Sequence, residues 1–255
     1  VIVSYHESWA NEFYLLNTKK HPTDNLWVRR AIASSLNRKT LANYIYKNTA
    51  VEPKGLIPQS IPLFIEPDSL ISFDLDLAKG YLKKAEIDQS NTTIDLSYVS
   101  TYEEYRLTTF MLLDNLRKLD VQLELKPGLW STNWDKAKVL ETAPNIISMA
   151  WWPTVSSPSD WFFALYNTQQ NPLFNLSYYS NSIVDSLTKK AWELESVDPE
   201  SARDIYKEIQ NILIDDCVVV PAVDVKTTSV RKRSIIGFKS NPAYSTILVY
   251  HLRKK

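Results

Sequence analysis

The chain has 255 residues, 29 basic and 29 acidic side chains, eight tryptophans, four glycines and one cysteine. That length holds one large domain or two small ones, each with its own core. Balanced charge argues against a nucleic-acid partner, no run of ~18 apolar residues spans a membrane, and Cys217 alone makes neither an intrachain disulfide nor a zinc site.

Val1-Ile2-Val3 has no basic or apolar leader and reads as mid-strand, so a piece of a longer protein is expected. Glu12–Thr18 reads as a strand. Asp24 or Asn25 is placed to cap a helix with Val28, Ala31, Ile32 and Leu36 on one face. Arg29 and Arg30 are expected to be solvated on it. Asn37 is placed to cap a second helix. The segment 53–67 holds four prolines and is expected to be an extended surface connection. Asp74 then opens a helix through Ala85.

The next stretch sets the topology. Ile94, Leu96 and Tyr98 alternate as a strand, Tyr102–Leu119 is helical, and Val121, Leu123 and Leu125 alternate again. A short helix over Trp130–Glu141 and an apolar strand at Ile146–Ala150 follow. Strand-helix-strand-helix-strand predicts a parallel sheet. Ligands of such sheets sit outside the carboxyl ends of the strands, here at Val99–Thr101, Lys126–Trp130 and Trp151–Asp160. Residues 164–181 are polar and irregular. Asn181 or Ser182, then Asp198-Pro199, are placed to start two more helices. Cys217–Val223 reads as a buried strand with an inert thiol, Lys226–Arg233 as a polar stretch, and Thr246–Leu252 as a last strand.

The stretch Trp151-Trp152-Pro153-Thr154-Val155-Ser156-Ser157-Pro158-Ser159-Asp160-Trp161 holds the densest candidate chemistry. Its aromatic faces and small hydroxyls suit a cleft for a small polar molecule, or else the tryptophans plug a core. Candidate ligand residues are Trp151, Trp152, Thr154, Ser156, Ser157 and Asp160, with Tyr98, Ser100 and Trp130 beside them. Asp160 is also placed as the cap of a helix beginning at Trp161. Nothing argues for catalysis: Asp215-Asp216 diverge on a helix, no GxSxG elbow occurs, and His6, His21 and His251 lack metal-ligand spacing. No cofactor is implied.

Several segments resemble those of the family 5 extracellular solute-binding proteins, the oligopeptide- and dipeptide-binding components of ABC importers. They are YLLNTKKHPTDNLWVRRAIASSLNRKTLANYIY, FDLDLAKGYLKKA, LRKLDVQLELKPGLWSTNWDKA, YYSNSIVDSLTKKA and DPESARDIYKEIQNILIDDCVVVPAV, in that order. The resemblance implies a type II periplasmic-binding-protein-like α/β lobe with a mainly parallel central sheet flanked by helices. It implies that residues 1–255 are the carboxy-terminal lobe of a two-lobed protein whose first lobe is absent, with 1–16 and 224–255 as hinge or inter-lobe strands. The implied partners are a small solute (peptide, sugar or chelate), a membrane permease and the missing lobe, in the periplasm or outside the cell, with or without a lipid anchor on the full-length protein. The lobe would bind and do no chemistry. Thr154 and Ser157 stand where the family's loop has aspartates, and Val99 where dipeptide binders have an arginine. A neutral or anionic solute is therefore expected over a zwitterionic peptide. The same type of lobe also occurs behind DNA-binding domains, so a ligand-sensing lobe of a cytoplasmic regulator is the alternative.

Overall fold

The computed structural model describes residues 1–88, 92–243 and 248–255. A six-stranded sheet in the order β2-β6-β1-β5-β3-β4 forms its centre. The strands are β1 (Ile2–Leu16), β2 (Ala50–Val51), β3 (Thr93–Val99), β4 (Gln122–Gly128), β5 (Ile146–Trp151) and β6 (Val219–Arg231). Neighbours along a strand point to opposite faces, and β1 divides accordingly. Tyr14 and Leu16 join one core layer with α1 (Leu26–Ser34), α3 (Leu75–Ala85) and α4 (Glu103–Arg117). Phe13 and Leu15 join the other, with α5 (Trp130–Ala137), α6 (Ser159–Leu165), α7 (Ser182–Leu194) and α8 (Pro199–Asp215). The short α2 (Arg38–Thr40) runs into a π-helical turn at Leu41–Ile45. A separate ribbon pairs β7 (Ile235–Ile236) with β8 (Arg253–Lys254).

The fold is the expected α/β sheet flanked by helices, but it is mixed rather than mainly parallel. Parallel pairing joins β3 to β4 and β3 to β5. The pairs β1–β5, β1–β6 and β2–β6 are antiparallel. The helix starts follow local chemistry: the side chains of Asn25, Asn37, Asp74, Asn181 and Asp198 each accept a bond from a first-turn backbone N–H. Asp198 is followed by proline at the first helical position, where the missing N–H has no cost.

Other expectations change. β1 begins at Ile2, and its first half pairs with Lys226–Arg231, from Ile2↔Arg231 to Glu7↔Lys226. The polar segment after Val225 is therefore strand, rich in β-branched threonine and valine that suit an exposed pleat. The expected last strand is absent from the described part of 246–252: residues 246 and 247 lie outside the described residues, and Val249–His251 is a 3-10 turn. The proline-rich 53–67 segment is not merely superficial, because Leu56, Ile57 and Ile61 are buried in the core beside α8. Arg29 is not solvated either. It is 7% exposed and donates to the carbonyls of Thr23, Asp24, Asp216 and Cys217. Cys217 is fully buried, and burial pushes its thiol up to about 12.

Candidate functional site

The ladder between β3 and β5 has two registered pairs, Leu96↔Ile146 and Ser97↔Ile147. A carboxyl–amide clasp sets its start: Asn145 N–H donates to Asp95 Oδ1 (2.9 Å), and Asp95 N–H donates to Asn145 Oδ1 (3.2 Å). Beyond Ser97 and Ile147 the two strands no longer pair, although both continue. A cavity of about 520 Å³ opens at this end, lined by Val99 from β3, Met149, Ala150 and Trp151 from β5, Tyr102, Tyr105, Trp130, Trp152, Thr154 and Phe174. This is the crevice outside the carboxyl ends of parallel strands where small ligands bind in open α/β sheets.

One wall is a run of aromatic rings. Trp130 stacks on Trp134 (6.5 Å between centroids), Trp134 on Phe174 (5.8 Å), and Phe174 meets Trp151 edge-on (5.0 Å, 71°). The Trp134 indole N–H donates to the Leu173 carbonyl at 2.6 Å, fixing the segment that delivers Phe174. The Lys138 ammonium sits 3.6 Å from the centroid of the Trp134 ring. Trp130 is carried by α5, whose position depends on a close approach. Asn133 donates to the Tyr98 carbonyl at 2.9 Å, and a Cβ on Gly128 would collide with the Asn133 side chain. Glycine is therefore required there for lack of space, not for its dihedral freedom.

The tryptophan loop is fastened at both ends. At its start the two oxygens of Asp160 are divided: Oδ2 accepts the Trp151 indole N–H (2.7 Å), and Oδ1 accepts the Thr154 N–H (3.2 Å) and hydroxyl (2.5 Å). Asp160 lies in the first turn of α6, whose cap position is Pro158, so it closes the loop rather than capping the helix. At its end Ser157 is buried, hydrogen-bonded to Ser159 (2.5 Å) and to the Glu195 carboxylate, which also accepts the Tyr206 hydroxyl. Trp161 is fully buried and donates to Asn11 Oδ1 at 3.0 Å, so it fills the core.

Among the residues singled out from sequence, Trp130, Trp151, Trp152 and Thr154 line the cavity. Ser157 and Asp160 face their loop partners instead, Tyr98 is buried in the core beneath α4, and Ser100 and Ser156 are exposed outside the cavity lining. Val99 comes from the expected ligand loop at 99–101, whereas Tyr102, Tyr105, Met149, Ala150 and Phe174 were not expected as lining. Tyr102 and Tyr105 stood three residues apart at the start of a predicted helix beside a predicted ligand loop, a spacing that puts both rings on one side. Phe174 carried no such signal, since it lies in an irregular stretch. A larger depression of about 650 Å³ lies behind the loop, against α6 and α7. It is away from the strand ends, so the aromatic cavity is the better candidate.

Replacing Asp160 by alanine is expected to free the Trp151 indole and the Thr154 amide together. Three donors, counting the Thr154 hydroxyl, lose their acceptor, at a cost of about 1–3 kcal/mol. Hydrogen exchange of the Trp151 indole, followed by NMR, is slow in the parent and fast in the variant; equal rates would show that the clasp does not hold the loop.

The family model for the bacterial extracellular solute-binding proteins, family 5 Middle, matches residues 2–172. The chain belongs to this family. Among curated relatives of this family 5 chain, a dipeptide-binding protein of Pseudomonas aeruginosa is 22% identical over 228 residues, covering 89% of the chain and 42% of that protein. A glutathione-binding protein of Salmonella choleraesuis is 25% identical over 242 residues, covering 91% and 45%. The chain thus spans less than half the length of these relatives. Among solved structures, the substrate-binding protein CtaP of Listeria monocytogenes superposes with a TM-score of 0.87 at 18% identity, covering 100% of the chain and 52% of that protein. A dipeptide-binding protein of a Pseudoalteromonas species, solved with Met-Leu, gives 0.82 at 20% identity, covering 100% and 50%. These likenesses show the type II periplasmic-binding-protein fold.

Proposed function

We propose that the chain is the carboxy-terminal lobe of the solute-binding component of an ABC-type importer. It captures a peptide or other small solute in a cleft between this lobe and an amino-terminal lobe, with residues 1–16 and 224–255 supplying hinge or inter-lobe strands. It binds without chemistry, works in the periplasm or outside the cell, with or without a lipid anchor on the full-length protein, and delivers its solute to a membrane permease. The observation that carries this reading is the aromatic cavity at the point where the β3–β5 ladder ends, within a family 5 fold. Stacked rings give a solute flat apolar area, and the Thr154 hydroxyl at the rim orients it. The named ligands of the relatives, dipeptides and glutathione, give a first panel.

The test is calorimetric titration of the full-length protein with Met-Leu, glutathione, a disaccharide and a nickel chelate. At least one is expected to bind saturably, with affinity in the micromolar range and a loss of about tenfold or more in Trp151→Ala. Failure of the whole panel, or binding indifferent to Trp151, would overturn the reading.

A further inference from the structure

A second, smaller cavity of about 200 Å³ adjoins the aromatic one. Tyr102 and Tyr105 line both; Glu12, Tyr46, Thr49, Glu104, Val225 and Lys226 complete the smaller. Its central group is set by sheet register. Glu12 on β1 stands opposite Ala150 of β5, itself a wall of the aromatic cavity, and opposite Val223 of β6. The carboxyl of Glu12 therefore lies beside the end of the strand from which the tryptophan loop departs.

We infer that this smaller cavity is a subsite for a cationic group of the solute, an alkylammonium or guanidinium, with Glu12 as its anchor and Glu104 at its mouth. The inference rests on the reading of the aromatic cavity as the solute site. Four observations support it. The Tyr46 hydroxyl donates to one oxygen of Glu12, and among the described residues no hydrogen-bond donor reaches the other. Glu104 brings a second carboxyl from the first turn of α4. Tyr102 and Tyr105, edge-on at 5.5 Å, supply ring faces of the kind that attract cations. The only basic side chain in the lining, Lys226, makes no ion pair with either carboxyl among the described residues.

The electrostatics agree with an anchor lacking its counter-charge. Burial, opposed by the Tyr46 hydrogen bond and reinforced by Glu104, pushes the Glu12 carboxyl up to about 8. A cation entering the cavity replaces the missing charge, ionises the carboxyl and sends its proton to solvent. The groups facing Glu12 are Tyr14 on its own strand, Tyr46 after α2, Tyr102, Glu104 and Tyr105 from α4, and Lys226 from β6. Burial raises Tyr14, Tyr46 and Tyr105 above the ordinary phenol range, so these three stay neutral throughout. This site gives the positive end of a solute a different place and so departs from the neutral or anionic solute expected from Thr154. The family's loop aspartate is Thr154 here, and the carboxyl comes from β1 instead.

The experiment uses the full-length protein and paired probes: Met-Leu, glutathione and n-butylammonium, each beside its N-acetylated form. The free amines are expected to bind at least about tenfold tighter than the acetylated ones. Glu12→Gln removes that preference and leaves the acetylated forms unchanged; Glu104→Gln reduces it less. Proton release needs no variant. At pH 7, calorimetry in two buffers of different ionisation heat should show close to one proton released when n-butylammonium binds, and none with its acetyl form, since the alkylammonium itself, with a pKa of about 10, stays charged. Solutes that bind with no preference for the amine and no proton release overturn the subsite while leaving the solute-binding reading intact. Silence from every probe overturns both.

Discussion

Arg29→Met is expected to cost on the order of 3 kcal/mol of unfolding free energy, because four buried carbonyls lose a charged donor and each unsatisfied acceptor costs about 1–3 kcal/mol. The guanidinium is 7% exposed and carries bonds to four carbonyls, those of Thr23 (2.8 Å), Asp24 (2.9 Å), Asp216 (2.8 Å) and Cys217 (3.1 Å). Asp216 is the residue that caps α8, where peptide carbonyls have no partner within the helix and the dipole is negative. Arg29 thus ties α1 to the end of α8 and to the turn before Asn25. Burial lowers its guanidinium from the usual range, opposed only in part by nearby Cys217, Asp216 and Asp24. Methionine fills the space and leaves the carbonyls unsatisfied, whereas Arg30→Met removes one exposed bond to the Asp215 carbonyl at a cost below about 1 kcal/mol. Urea melts of both variants make the comparison. An Arg29 variant within about 1 kcal/mol of the parent would show that water replaces the guanidinium freely.

The second large effect is on the pH dependence of stability. Asp224 is 3% exposed, one of its oxygens accepts the backbone and side-chain N–H groups of Gln59, and the other is buried with no donor. Burial pushes its carboxyl up to about 7, against about 4 for an unfolded aspartate. The folded chain therefore holds a proton that the unfolded chain has released. The stabilisation this brings is complete below about pH 4 and is lost as pH rises through about 7. Glu12, pushed up to about 8, acts in the same direction. Carboxylates lowered by hydrogen bonds, such as Asp198 and Asp68, lose their contribution only at more acidic pH. Between pH 5 and 7 stability should therefore fall with rising pH, by up to about 1.4 kcal/mol per unit for each raised group. Asp224→Asn mimics the protonated form and should remove its share of the slope, leaving the variant more stable than the parent at pH 8. Parallel slopes for parent and variant in urea melts at pH 5, 6, 7 and 8 would show that Asp224 is ionised in the folded chain.

The parts of this fold that sequence reveals are those where one side of an element is dry. Ile94, Leu96 and Tyr98 alternate because β3 has a helix layer against that face, and the pattern led to the β3-β4-β5 group and to the edge where the cavity lies. Capping side chains were equally readable, since Asn25, Asn37, Asp74, Asn181 and Asp198 act within three residues of themselves. Val1–Val3 reads as strand and the resemblance implies strands at 1–16 and 224–255, but the partners within them hid because the first half of β1 and the second half of β6 are each partly exposed, with Val3, Tyr5 and Val230 among the exposed residues. Their pairing is more than two hundred residues apart in the chain, and nothing local announces it. The site shows the same division. Trp151 and Trp152 stood out by composition, but the employment of Asp160 and Ser157 within the loop depends on where Thr154, Glu195 and Tyr206 come to lie. Phe174 reaches the cavity through contacts made at a distance in the chain, the Trp134 bond to the Leu173 carbonyl and the packing of its ring on Trp134 and Trp151.

The two fastenings of the tryptophan loop also shape how the protein can diverge. Between the Asp160 clasp and the Ser157 anchor, Val155 and Ser156 project into solvent, and Trp152 is 59% exposed. Of these positions Trp152 lines the aromatic cavity, so its substitution changes the rim while leaving the core and both fastenings in place. If the cavity holds a solute as proposed, an exposed side chain at such a position lets ligand preference change at little cost to folding.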